Sequence, residues 1–97
     1  MEAVKRVEIV VDSVEVRRVT EVLDELGVSG YTVIPTLTGK GERGRRDGDG
    51  VSGVFANAYV LTACLPGQLR ALVEAVRPLL KETGGICLVS DAEWVQH

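Results

Sequence analysis

The chain has 97 residues, 45% hydrophobic and 26% charged, which suits one modest core in a single domain spanning residues 1–97. A formal charge of −3 and only 4% aromatics argue against a general nucleic-acid coat or a binder of anionic membranes. No apolar run approaches a membrane span and the start, Met1-Glu2-Ala3-Val4-Lys5-Arg6, is unlike a signal peptide, so a cytoplasmic address is expected.

Val4 to Val11 reads as a strand, with Val7, Ile9 and Val11 on one face at period two. Its run of valines predicts a central strand covered on both sides. Asp12 and Glu15 have capping-box spacing and open a helix that runs to about Leu26. Val16, Val19, Leu23 and Leu26 form its apolar stripe, and Gly27 stops it in a left-handed conformation.

Tyr31 to Thr38 is a second strand, interrupted by Pro35 and therefore at an edge or a bulge. A third runs from Val54 to Leu65, with Phe55, Tyr59 and Leu61 on one face, either core or a subunit contact. Pro66 opens a second helix, whose core face is Leu69, Leu72, Val73, Val76, Leu79 and Leu80. Pro78 inside that pattern predicts a kink or an early finish. After Gly84-Gly85, Ile86 to Val89 is a fourth strand and Glu93-Trp94-Val95 a short extended tail. Cys64 and Cys87 lie in apolar runs and read as buried, reduced thiols.

The order βαββαβ, with two helices on one side of an antiparallel sheet, is the ferredoxin-like α+β arrangement. It places the first and third strands in the middle. Between the second and third strands, Gly39 to Gly53 holds six glycines and seven charged residues. That is far longer than a hairpin needs, which marks the loop as functional or disordered, a solvated hairpin tip without a ligand being the other reading. Gly39, Gly41 and Gly44 let backbone N–H groups approach an anion. Lys40, Arg43, Arg45 and Arg46 add cations, the arginines as bidentate forks for phosphate or carboxylate.

Two other function classes fit less well. An RNA-recognition sheet shares the topology, but the first strand carries no stacking aromatic. An enzyme would need more than the single histidine, His97, and the chain has no Cys/His constellation. No catalytic residue is therefore assigned.

The stretch Leu23-Asp24-Glu25-Leu26-Gly27-Val28-Ser29-Gly30-Tyr31-Thr32-Val33, followed by Gly39-Lys40-Gly41-Glu42-Arg43-Gly44, resembles the PII signal-transduction superfamily. It is similar to that family's helix, turn and strand leading into its T-loop. The resemblance implies a homotrimer with adenine nucleotides (ADP, AMP or ATP) in clefts between subunits. Gly30, Tyr31 and Thr32 would then meet base or ribose, and Ala63 and Cys64 would line the adenine slot. Gly39, Gly41 and Arg43 would lie near the phosphates at the T-loop base, with Gly84 and Gly85 as a shortened B-loop.

Nitrogen-regulatory members carry a glutamine where Gly44 stands, a lysine where Ala58 stands, and a modified T-loop tyrosine that is absent here. The Gly-Lys-Gly-x-Arg pattern looks more like PII-like proteins tied to bicarbonate transporters and carboxysomes. That likeness implies bicarbonate as a second ligand and a transporter or carbon-uptake partner reached through the T-loop. The alternatives are a classical nitrogen-regulatory PII protein, or a ferredoxin-like trimer of the copper-tolerance type without a nucleotide cleft.

Overall fold

The structure, a computed structural model, describes residues 1–37 and 57–97. Strand β1 (Glu2–Asp12) leads through a 3₁₀ turn (Ser13–Glu15) into helix α1 (Val16–Leu26). Strands β2 (Tyr31–Leu37) and β3 (Asn57–Cys64) follow. A second 3₁₀ turn (Pro66–Gln68) opens helix α2 (Leu69–Thr83), and β4 (Ile86–Trp94) ends the fold. The sheet order is β2-β3-β1-β4, every pair antiparallel, with the first and third strands central as expected.

Period-two alternation decides which face of the sheet is covered. Val7, Ile9 and Val11 of β1 stand opposite Thr62, Val60 and Ala58 of β3, and all six are buried. Val19 and Leu23 of α1 and Leu72, Val76 and Leu79 of α2 are buried in the same hydrophobic core. Burial of this kind is the main favourable term in folding. Among the described residues no helix lies on the other face: Arg6 is exposed there and Glu8 and Val10 are half-buried. The expectation that β1 is covered on both sides is thus corrected for the described residues, whose two helices both pack on one side.

Local chemistry explains the element ends. Gly27 takes φ 74°, and its N–H donates to the Asp24 carbonyl at 3.1 Å while Val28 N donates to that of Leu23 at 3.3 Å. The Asp12 carboxylate accepts from Val14 N at 3.2 Å, but Glu15 does not complete a capping box. Its carboxylate accepts from Arg18 Nη1 at 2.8 Å, and the same guanidinium reaches Glu82 of α2 at 3.5 Å. Gln68 clamps the two helices: its Oε1 accepts from Leu65 N at 2.9 Å and its Nε2 donates to the Leu26 carbonyl at 3.2 Å.

Two further expectations change. Pro78 lies inside α2, which continues to Thr83 before Gly84 caps it at φ 76°. Pro78 and Glu74 both sit on the exposed side, so the hydrogen bond Pro78 cannot make is lost toward water. The fourth strand and the tail are one strand, Ile86–Trp94, paired with β1 along Glu2 to Val10. β3 begins at Asn57 among the described residues; Phe55 lies outside them. Pro35 does sit at a register irregularity on the edge strand, between Ile34 and Leu37. Both cysteines are free, Cys64 buried and Cys87 partly so, and burial pushes both thiols up in pKa.

Candidate functional site

Two adjoining clefts, each of about 410 Å³, open at the end of the sheet where β2 begins and β4 ends. The first is bordered by Gly30, Tyr31 and Thr32, by Ala63 of β3, by Val4 and Arg6 of β1 and by Trp94 of β4. The second contains Cys64, Gln68 and Gly27, and shares Val4, Ala63 and Trp94 with the first. Such volumes lie within the ordinary range of small-ligand sites.

The first cleft is held in shape by a short bond behind it. Thr62 is 3% exposed, and its hydroxyl donates to the Gly30 carbonyl at 2.6 Å. That bond fixes the turn from α1 into β2, so the Gly30–Thr32 wall is set by the core. Tyr31 is turned toward α1 and donates to Asp24 Oδ2 at 3.4 Å. Partial burial and the nearby Asp24 carboxylate both raise its phenol pKa. Thr62→Val should leave a carbonyl without its hydroxyl partner and cost about 1 kcal/mol in urea unfolding. Weakened ligand binding in the same variant would report the loosened wall.

A polar strip runs across the helix-free face beside this cleft. Arg6 lies 3.4 Å from Glu8, and its Nε donates to Ser90 Oγ at 3.1 Å. Tyr59 donates to Glu8 Oε2 at 2.7 Å, a bond that holds its proton and raises its pKa. At the rim, Lys5 pairs with Asp91 at 2.5 Å and holds that carboxylate below its usual pKa.

The structure therefore brings Gly30, Tyr31, Thr32 and Ala63 around one cleft, and sets Cys64 in the next. Ala63 and Cys64 both border the second cleft, and only Ala63 also reaches the first. Gly84 and Gly85 do not join them. Ile86 pairs with Val10, whereas Val4 borders the cleft, a separation of about 20 Å along β1. Within one chain the glycine pair is at the sheet end where β2 finishes, since Leu37 pairs with Asn57 and Asn57 with Asp12. Gly39, Lys40, Gly41, Arg43, Arg45 and Arg46 lie outside the described residues. Among the described residues, no cluster of three or more His, Cys, Asp or Glu could hold a metal ion.

Sequence reasoning missed Arg6, Trp94, Val4 and Leu61 as lining residues. The signal was present for β1, where Val4 and Arg6 alternate out of phase with Val7, Ile9 and Val11. For Trp94 it was hidden, because splitting the last strand removed its pairing with Glu2.

Comparison with known proteins gives this geometry its context. CPII of Thiomonas intermedia K12, a nitrogen regulatory PII-like protein solved with ADP, AMP and bicarbonate, is 25% identical with a TM-score of 0.82. The match covers 98% of this chain and 96% of that one. A putative PII-like signalling protein of Thermus thermophilus is 26% identical, with a TM-score of 0.75 and coverage of 97% and 91%. The apo form of CPII, at 23% identity, 98% and 95% coverage and a TM-score of 0.78, shares the fold. A search of curated protein sequences found no match. The family model described as nitrogen regulatory protein P-II matches residues 4–97, nearly the whole chain, and the chain belongs to that family.

Proposed function

We propose that this chain is a non-catalytic, trimeric signalling protein that binds an adenine nucleotide (ADP, AMP or ATP) in clefts between subunits. Bicarbonate is its second ligand, and inorganic-carbon handling is its setting. One observation carries this reading: a structure matching 98% of the chain holds ADP, AMP and bicarbonate, and this chain builds a largely apolar cleft from Gly30, Tyr31, Thr32 and Ala63. The cations Lys40, Arg43, Arg45 and Arg46 supply the phosphate contacts, together with Gly84 and Gly85 of a neighbouring subunit. Occupancy reaches a partner, a transporter or carbon-uptake assembly, through the ligand's preference for one state of the 39–53 loop.

The helix-free face supports assembly. Ile34, Ile86, Leu88 and Trp94 are all at least 47% exposed, and strand alternation puts them on that one face. A neighbouring subunit laid on it would cover the second side of β1. It would also bring another chain's Gly84-Gly85 within reach of the cleft.

Leu88→Asp tests both points, because burying an unpaired carboxylate in the interface costs several kcal/mol. Light scattering should show three copies for the wild type and fewer for the variant. ADP affinity should fall at least about tenfold with the trimer. A monomeric variant that binds ADP as tightly as the wild type would rule out clefts shared between subunits.

A further inference from the structure

Trp94 is the chain's single tryptophan, and it closes β4 at the mouth of the site instead of lying in the core. It borders both clefts and is 47% exposed. Its indole N–H has no acceptor among the described residues. A tryptophan placed this way contributes little to core burial, while it offers a broad π-face and an edge donor. Beside it Val4, Leu61, Ala63 and Ala92 make an apolar floor. Among the described residues, the only charged side chains on the first cleft are Arg6 and Glu93, and Arg6 is already engaged by Glu8 and Ser90. That lining suits the flat, uncharged part of a nucleotide and not its phosphates.

We infer that Trp94 is the wall on which the purine ring stacks, which makes this cleft the base end of the site. The inference rests on the nucleotide reading above and adds to it the residue that grips the base. Stacking on an aromatic is tolerant of base identity, so Trp94 supplies affinity for a purine while polar groups select adenine. Phosphates extend away from Trp94, because the cations at this end, Arg6 and Lys5, are already engaged by Glu8, Ser90 and Asp91.

A lone tryptophan makes its emission a reporter of this one residue. In wild-type protein, ADP should change the emission along the same curve that calorimetry gives, and ribose 5-phosphate should leave it unchanged. Trp94→Ala should weaken ADP binding about fivefold or more, the effect of losing one base–aromatic stack, and Trp94→Phe should restore most of it. Calorimetric binding of ADP with a silent tryptophan, or with unchanged affinity in folded Trp94→Ala, overturns the stacking role and leaves the nucleotide reading standing. If Trp94→Ala does not fold, the wild-type emission decides. Calorimetric silence toward every adenine nucleotide overturns both.

Discussion

Ile9→Ala is expected to lower the unfolding free energy by about 2–5 kcal/mol, the range for deleting a fully buried branched side chain. Ile9 is fully buried in the middle of the central strand, between Val60 of β3 and Cys87 of β4. It belongs to the same core as Val19, Leu23, Leu72 and Val76, so the helices cannot settle into the gap without leaving the sheet. Domains of this size hold about 5–15 kcal/mol in total, and the loss is a large share of it. Urea unfolding at fixed protein concentration measures it, the concentration mattering if subunits assemble. A loss below about 1 kcal/mol would contradict the packing described, whereas Ile9→Val should cost only about 0.5–1.5 kcal/mol.

Gly85→Ala should destabilise by about 1–3 kcal/mol, because it forces atoms into filled space. A Cβ at this position would stand 2.6 Å from the Val10 carbonyl oxygen, 3.0 Å from Val11 Cγ1 and 3.1 Å from Leu80 Cδ2. The carbonyl belongs to central β1 and cannot move freely, since Val10 pairs with both Tyr59 and Ile86. Gly30 offers the contrast: nothing lies within 4 Å of a Cβ there and its φ is not positive. Gly30→Ala should therefore change stability by less than about 0.5 kcal/mol. Thermal melts of the two variants separate these cases. Equal losses in both would mean that the close approach at Gly85 does not govern its residue type.

That contrast bears on how much of the site was legible in the sequence. The resemblance assigns Gly30 and Gly85 alike to the nucleotide. Geometry gives Gly85 a second reason to be glycine, its contact with β1, which only the three-dimensional packing reveals. Order and pairing of elements could be read directly, because Val7, Ile9 and Val11 keep strict alternation and Leu72, Val76 and Leu79 keep helical spacing. Gly27 and Pro35 were equally readable, each having one conformation or position it suits.

What escaped were features that depend on register. Trp94 read as a tail residue, and only its pairing with Glu2 places it beside Val4. Glu15 satisfied a capping pattern locally, yet the Arg18 guanidinium offered its carboxylate a charged partner instead. Pro78 read as a kink or an early finish, and the early finish fails because Pro78 faces water, which composition does not say. Ala63 and Cys64 were assigned to one slot and both border the second cleft; that Ala63 also borders the first shows only in three dimensions.

The central claim, an adenine nucleotide held between subunits, is tested most directly by calorimetric titration of the wild-type protein with ADP, with and without bicarbonate. The account predicts saturable heat with one ADP per chain, three per assembly, and a change in affinity when bicarbonate is present. No heat with ADP, AMP or ATP under either condition would contradict it.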